Sequence, residues 1–315
     1  MEIILLFGIS ILPALFLLWY YDRYDSSRPE PRRMLWKAFK WGLVATFFAG
    51  VIEHNLFDLI GNALTNHYVR SFVISFIVVA LTEEGLKLFV LRKIIWRNKH
   101  FDEIMDGIIY AIAASLGFAT LENLFYVFEG GIEIGFARAA LAVPAHALFC
   151  GIMGYYIGKA KMARTPWEGN KFIWHGLFLA VFYHGLYDFL LMIGGYMAFF
   201  VIPLLILMFY QLQHKVNMAH FEDGLTKQAP IPWDSKRTVR FTFGLILITM
   251  TIFYMLGIKM MRDMGQYNPA ELPYHIILLI LMMGGAFWAF RRHALPKTKW
   301  KKELKIKEDV KKARA

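Results

Sequence analysis

Nine apolar segments run through this chain, and each is long enough to cross a membrane as a helix. They lie near residues 3–20, 37–60, 71–91, 105–127, 138–158, 172–192, 196–212, 240–259 and 274–290. A helix needs about 17 to 25 apolar residues to cross the roughly 30 Å hydrocarbon core of a bilayer. Hydrophobic residues make up 57% of the chain, whereas soluble proteins average about 45 to 50%. The sequence therefore predicts an all-α protein, a polytopic bundle of about nine transmembrane helices.

The close spacing of the sixth and seventh segments predicts a helical hairpin. Only Gly194 and Gly195 separate the two, and about 40 apolar residues cannot cross a bilayer once as a single helix. The first segment lacks a basic amino-terminal region and a small-residue cleavage site, and it ends in the aromatic run Trp19, Tyr20, Tyr21. Because such aromatic residues anchor helices at the membrane interface, we expect the first segment to be a retained span.

Lysine and arginine are distributed unequally between the connecting segments. Most of the 35 basic residues fall in alternate connections and in the tail. The opposite side holds only four of them, Arg70, Arg138, Lys259 and Arg262. By the positive-inside rule the amino terminus lies outside and the carboxyl terminus in the cytoplasm, as in a multi-pass protein of the cell membrane. The net charge of +11 is then a matter of topology, and we expect the bilayer rather than a nucleic acid as the partner.

This topology divides the chain into four parts. Residues 1–212 form a membrane-embedded core of spans one to seven, 213–239 a cytoplasmic loop, 240–290 two additional helices and 291–315 a basic cytoplasmic tail. The tail is compatible either with binding anionic lipid or with disorder. The single cysteine, Cys150, lies within a span, which excludes a disulfide framework and a thiolate metal site.

Ionisable side chains lie inside spans three to six, where hydrocarbon is expected. They are Glu83, Glu84, Lys87, Glu122, His146, His184 and Asp188. Each charged group near a bilayer centre costs roughly 2.5 to 3.5 kcal/mol on insertion scales, so such residues usually have a function. Because consecutive spans run in opposite directions, Glu83, Glu84, Glu122, His146 and His184 fall between the midplane and the outer leaflet, in a layer on the order of 10 Å thick. They are therefore candidates for one site.

Local spacing adds detail to this candidate site. Glu83 and Glu84 precede Lys87 by four and three residues, so we expect the amine to neutralise only one of these acids and to leave the other for chemistry. His184 and Asp188 share a helix face by the same spacing. Pro144 is expected to open the helix beside His146. The structural alternatives are an interhelix salt bridge at Glu83, Glu84 and Lys87, a polar bridge at Glu122 and Asn123, and a hydrogen bond from His146 to a neighbouring helix. For the pair Glu53 and His54, near the outer end of the second span, the alternative to a direct role is a position at the membrane interface.

Four ordered motifs on separate helices resemble the PrsW family of membrane proteases. They are Glu83-Glu84-x-x-Lys87, Asp106-Gly107 leading into Phe118-x-x-x-Glu122-Asn123, Pro144-Ala145-His146-Ala147, and His184-x-x-x-Asp188. The family belongs with the larger superfamily of CAAX prenyl endopeptidases and bacteriocin-processing proteins. The similarity covers roughly residues 18–212. The last two spans and the basic tail lie beyond this shared core.

The resemblance implies an intramembrane peptidase, similar to the family member that makes the first extracytoplasmic cut in a membrane-bound anti-sigma factor. The implied partner is a membrane-bound protein substrate. By this resemblance the catalytic residues are Glu83, Glu84, His146 and His184. Lys87, Glu122, Asn123 and Asp188 are expected to support them. In the CAAX branch the second motif ends in His and the fourth in Asn, whereas Glu122 and Asp188 stand there in this chain.

Two mechanisms fit these residues, with either no cofactor or one divalent metal. In the first, Glu83 or Glu84 activates water while the histidines stabilise the oxyanion, and this is the version we favour. In the second, Glu122, His146 and His184 hold a catalytic zinc. A proton- or ion-coupled transporter also buries acids and histidines near the midplane. That rival usually shows internal repeats, and the sequence contains none that we detect.

Overall fold

The computed structural model of the chain describes residues 2–24 and 30–224, together with a few single helical positions between 262 and 284. Every regular element in this part of the chain is a helix, which confirms the predicted all-α class. The chain divides into two compact units, residues 1–232 and 233–315. The eighth and ninth predicted spans and the basic tail lie outside the described residues, apart from those single positions.

Eight α-helices form the first unit within its described residues. They are α1 Glu2–Tyr24, α2 Arg32–Ala63, α3 His67–Phe72, α4 Leu81–Phe89, α5 Ile104–Ala140, α6 Ala142–Lys161, α7 Pro166–Ile193 and α8 Val201–Glu222. A short 3₁₀-helix, Gly195–Phe200, precedes α8. These elements fall on the first seven predicted spans, and several extend past the predicted bounds. For example, α8 continues to Glu222, beyond the predicted end at residue 212.

The third predicted span is a continuous helical run over 67–95 with two π-helical segments. Val73–Ala80 precedes α4 and Val90–Ile95 follows it, and the residues at the junctions keep right-handed helical dihedral angles. π-Helical turns are rare and are frequent at functional sites. The α-helical turns between them, α4, carry the paired glutamates.

Five described stretches are long and apolar enough to cross a membrane by length and composition. They are Ile3–Asp22, Arg32–Phe57, Ile104–Lys161, Pro166–Ile193 and Gly195–Glu222. The third of these contains both α5 and α6, and therefore two of the predicted spans. The run over 67–95 is not among them, because charged residues such as Glu83, Glu84 and Lys87 lie along it. The total of nine spans and the sidedness of the termini stay predictions.

The predicted hairpin at Gly194 and Gly195 is confirmed. Both glycines have positive φ angles, 70° and 54°, a conformation that residues with a side chain rarely adopt. They end α7 and let the chain reverse into α8. At the far end of α8, Glu222 reaches back to Lys159 near the end of α6, with 2.9 Å between Lys159 Nζ and Glu222 Oε2. The end of α8 therefore lies beside the start of α7.

Helices α5 and α6 form the centre of the described unit. A Cβ atom on Gly154 would clash with the carbonyl oxygen of Gly107, and one on Gly158 with that of Ile104. Gly154 and Gly158 thus form a small-residue stripe that lets two helix backbones touch, as in membrane helix pairs. Because the first half of α5, Ile104–Thr120, and most of α6 are buried, these two stretches form the frame against which the other helices place their side chains.

Large apolar side chains are exposed on the outer helices. Examples are Phe16, Phe47, Leu59, Phe125, Phe136, Trp174 and Phe178. Soluble monomers rarely expose apolar surface on this scale. A surrounding bilayer explains it, in agreement with the membrane prediction.

Candidate active site

Lys87 stands at the centre of a buried polar cluster. Its ammonium nitrogen lies 2.9 Å from Glu83 Oε2, 2.8 Å from Glu84 Oε1 and 3.2 Å from His146 Nδ1. The same nitrogen lies 4.1 Å from the centre of the Phe118 ring. Lys87 and Glu84 are fully buried. We expected one free acid, and this expectation is wrong, because the long lysine side chain carries three donors and reaches both carboxylates of α4.

His184 enters the cluster from α7. Its Nδ1 lies 2.9 Å from Glu84 Oε1, and its Nε2 lies 3.2 Å from Asp188 Oδ2 and 3.9 Å from Glu83 Oε2. Phe149 stacks on the imidazole, with ring centres 4.7 Å apart and planes inclined by 14°. Both ring nitrogens thus face carboxylate oxygens, and the stacked ring fixes their direction. The predicted pairing of His184 with Asp188 across one turn is confirmed.

His146 enters from α6 and connects the cluster to Glu122 of α5. Its Nε2 lies 2.8 Å from Glu122 Oε2. Because Lys87 donates to Nδ1 of this ring, Nε2 is the nitrogen that carries a proton toward Glu122. The backbone carbonyl of His146 accepts a hydrogen bond from Ser115 Oγ at 2.7 Å. The two histidine rings have centres 5.3 Å apart, so the predicted residues of four spans form one connected network.

Pro144 does not open the helix as the sequence suggested. Helix α6 begins at Ala142, so Pro144 lies in its first turn, where no amide hydrogen is needed inside the helix. The bond from the Ala145 amide to the Leu141 carbonyl, 3.0 Å, is intact. The proline therefore helps to start α6 just before His146, and that prediction was wrong.

Arg138 completes the site and was not predicted as part of it. The α5 helix breaks at Gly131, whose φ of 77° is left-handed, and the chain after the break brings Arg138 back toward the helix. One guanidinium nitrogen lies 2.7 Å from Glu122 Oε1, and Nε lies 2.7 Å from Asn123 Oδ1. The sequence signal was available, since Arg138 is one of the few basic residues on the predicted outer side.

Asn123 presents an amide hydrogen donor to the site. Because Arg138 can only donate, it must face the carbonyl oxygen of Asn123, and this fixes the orientation of the amide group. Asn123 is fully buried, and its Nδ2 atom has no hydrogen-bond partner in the described part of the protein. Such a donor is free to bind an incoming carbonyl oxygen.

Glu53 of α2 also faces this region. Its position near the outer end of the second predicted span had instead favoured a place at the membrane interface. Thr46 Oγ1 donates to the Phe118 carbonyl at 3.0 Å, and Glu53 lies about two turns further along the same face of α2. Its carboxyl interacts electrostatically with Glu83 and Glu122. One of its oxygens is buried without a hydrogen-bond partner among the described residues.

The site is closed on most sides and accessible at one edge. The side chains of Glu122 and Asp188 are 17% and 23% exposed, and that of Arg138 is 17% exposed. Lys87 and Glu84 have no exposed surface. The accessible edge is therefore formed by Glu122, Arg138 and Asp188.

Acidic side chains outnumber basic side chains around the site. Five carboxyl groups, Glu53, Glu83, Glu84, Glu122 and Asp188, surround the two permanent cations Lys87 and Arg138. Two groups of residues each place three donor atoms within 4.8 Å of one another. The first group is Glu83, Glu84 and His184, and the second is Glu83, Glu122 and His146.

Imidazole nitrogens and carboxylate oxygens are ligands that zinc accepts, and the acid excess suits a divalent cation, so these residues fit such an ion. Glu83 belongs to both sets. The predicted set of Glu122, His146 and His184 is not one of these two groupings and stays a prediction.

Comparison with known proteins matches the same part of the chain. The model of a family described as PrsW family intramembrane metalloprotease matches residues 30–212. A protein named Protease PrsW from Geobacillus kaustophilus is 36% identical over 203 residues, which cover 63% of this chain and 87% of the relative. The Protease PrsW of Bacillus subtilis is 36% identical over 208 residues, covering 64% of this chain and 89% of the relative.

A third relative extends the match slightly. Protease PrsW from Oceanobacillus iheyensis is 34% identical over 215 residues, covering 67% of this chain and 94% of the relative. No solved structure shows significant similarity to the chain. The family match includes every residue of the network from Glu83 to Asp188.

Proposed function

Because the chain belongs to the PrsW family of intramembrane proteases, we propose that it hydrolyses a peptide bond of a membrane-bound protein near the extracytoplasmic side. A single-span anti-sigma factor is the substrate class that the family resemblance suggests. The observation that carries the proposal is the convergence of two histidines from α6 and α7 on the paired glutamates around Lys87. Peptide hydrolysis needs a base for water and donors for the oxyanion, and this cluster contains both.

We assign the role of general base to Glu83 rather than Glu84. Both oxygens of Glu84 are engaged, one by Lys87 and His184 and the other by the Cys150 thiol at 3.2 Å. Glu83 is held through Oε2 and retains slight exposure, 4% against 0% for Glu84. A base must reach water, so the less occupied carboxylate suits that role, while Glu84 orients His184.

The reaction then follows from the positions of the donors. Glu83 removes a proton from water, and the oxygen attacks the carbonyl carbon of the scissile bond. Asn123 Nδ2 and the N–H group of His146 stabilise the negative charge that develops on the carbonyl oxygen. His184, oriented by Glu84 and Asp188, donates a proton to the departing amine. The products are a free carboxylate and a free amine.

A divalent metal is the alternative source of activated water at this site. Either of the two donor sets that include Glu83 would hold it, and when bound it would act as a Lewis acid and lower the pKa of its water. In both versions Glu84 and Asp188 orient His184, and Arg138 orients Glu122 and Asn123.

The test is cleavage by the purified full-length protein in detergent, with candidate single-span membrane proteins as substrates. Mass spectrometry of the fragments should find new termini with the wild type and none with Glu83→Gln. The matched control is Glu129→Gln, which removes an exposed acid of α5 and should leave cleavage unchanged. A transporter would produce no new termini from any substrate, and full activity of Glu83→Gln would contradict the assignment of the base.

A further inference from the structure

A basic cavity lies at the opposite end of the third span from the glutamates. Its volume is about 330 Å³, and its lining includes Arg92, Trp96, Lys161, Arg164 and Thr165. Arg92 follows Glu84 by eight residues on one helical run, a distance of about 12 Å along the helix axis. The cavity is therefore separate from the candidate active site.

Three cationic side chains of the cavity are not neutralised by the protein. Within the described residues no carboxylate lies within ion-pair distance of Arg92, Lys161 or Arg164. Two of them are held in place by Trp96. The Arg92 guanidinium lies 3.8 Å from the centre of the indole ring, and Lys161 Nζ donates to the Trp96 carbonyl at 2.6 Å. Stacking occupies the face of a guanidinium and leaves its N–H edge available for an anion.

The start of α7 adds a further positive contribution. Thr165 is the N-cap, and its hydroxyl accepts the Glu168 amide at 3.2 Å. The first amides of a helix carry partial positive charge and favour anions. The carboxylate of Glu168 accepts the backbone amide of Arg164 at 3.4 Å, and Glu168 does not line the cavity.

The position of the cavity indicates how deep in the membrane its ligand would lie. The third span ends at Ile95, α6 ends at Lys161 and α7 begins at Pro166. Residues from all three ends line the cavity. By the predicted topology these ends lie at one membrane surface, where phosphate groups of lipids lie and where tryptophans such as Trp96 are common. A cavity of this size is at the lower end of the range for small-ligand sites.

We propose that this basic cavity binds a phosphate group, through the guanidinium of Arg92 and the amine of Lys161 with Arg164 at the rim. Arginine binds phosphate oxygens through two parallel N–H groups, and lysine adds a point charge. The phosphate belongs either to the headgroup of an anionic phospholipid or to a free phosphate. This site does not depend on the peptidase activity.

The test measures binding of phosphatidylglycerol to the purified full-length protein by titration in native mass spectrometry. We compare the wild type with the triple variant R92Q/K161Q/R164Q. The matched control, K93Q/R97Q/K99Q, removes the same charge from exposed positions next to the cavity. We expect the affinity to fall about fivefold for each cavity residue removed, the value of one basic residue near an anionic surface. The control should change it much less, because Lys93, Arg97 and Lys99 do not line the cavity.

A second arm separates the two sources of phosphate. Inorganic phosphate is added to protein in phosphatidylcholine nanodiscs, and its effect on the thermal unfolding temperature is measured for the same variants. Stabilisation of the wild type but not of the cavity variant supports a free phosphate, and selective loss of phosphatidylglycerol supports a lipid headgroup. The proposal is overturned if the cavity variant matches the wild type in both arms, or if the control variant loses as much binding as the cavity variant. If the triple variant does not fold, R164Q at the exposed rim is measured in its place.

Discussion

At the scale of single residues, Lys87 determines how two buried carboxylates can exist side by side. A buried charge without a partner is far more costly than a buried pair with good hydrogen bonds. Lys87 contacts Glu83, Glu84 and His146, so its removal leaves two acids facing each other in an apolar interior. The lysine is therefore as much a requirement of the fold as of the chemistry.

We predict that Lys87→Met lowers the free energy of unfolding by about 3 to 5 kcal/mol, the cost of breaking a buried pair by removing one partner. Chemical denaturation in detergent measures the loss. The double variant Lys87→Met, Glu83→Gln should recover part of it, because only one unpaired carboxylate then remains. A single variant as stable as the wild type would contradict the central role of this ammonium.

A second residue-scale prediction concerns Asn123. Replacing it with Ala should lower kcat on the order of a hundredfold, the effect of losing one oxyanion donor, while KM changes little. Asn123 also accepts a hydrogen bond from Arg138. The double variant Asn123→Ala, Arg138→Lys tests whether this contact is the only role of Asn123. If Asn123→Ala alone left kcat unchanged, the free Nδ2 atom would have no role in the reaction.

Metal content is the third residue-scale prediction. If Glu83 activates water without a metal, prolonged chelation should leave the cleavage rate unchanged. A metal held by either donor set should instead appear in elemental analysis at about one ion per chain and be lost on Glu83→Gln, because Glu83 belongs to both sets. Loss on His184→Ala with retention on Glu83→Gln would favour the set of Glu122, His146 and His184.

At the scale of elements, α8 holds the start of α5 in place. The two carboxylate oxygens of Asp223, just after α8, accept the backbone amides of Ile104 and Met105 at 2.9 and 3.0 Å. These amides belong to the first turn of α5, which has no partners for them within the helix. A residue distant in sequence therefore caps the central helix, and no local pattern could have indicated it.

We predict that Asp223→Ala destabilises the protein by about 0.5 to 2 kcal/mol, the usual cost of a lost helix cap. The thermal unfolding temperature measures this effect, with Asp223→Asn as the variant that retains one acceptor. Cleavage per folded molecule should stay unchanged, because the cap lies about 27 Å along α5 from Glu122. A loss of activity without a loss of stability would contradict this reading.

At the scale of the whole molecule, two exposed aromatic residues at opposite ends of α7 test the topology. Trp167 is 69% exposed and Tyr196 is 67% exposed. By the positive-inside rule, Tyr196→Cys should react with an impermeant thiol reagent from outside intact cells and Trp167→Cys should not. Cys150 is buried and provides no background signal. Labelling of Trp167→Cys from outside would reverse the predicted orientation and place the active site on the cytoplasmic side.

From the amino-acid sequence alone one could predict the helical class, helices on the first seven apolar segments and most members of the buried polar cluster. Each of these follows from local information, since apolar length indicates a span and a charge in hydrocarbon indicates a function. The spacing of His184 and Asp188 likewise fixed their contact, because four residues make about one helical turn.

How these residues share their partners depends on the packing of the helices and could not be read from the sequence. The reach of Lys87 to both glutamates, the return of Arg138 after the break at Gly131 and the approach of Glu53 from α2 depend on how helices pack and where the chain turns. A hydrogen bond between helices joins residues with no fixed separation in sequence, so periodicity cannot reveal it. The same holds for the basic cavity, which is lined by residues from three helix ends that are separated in sequence.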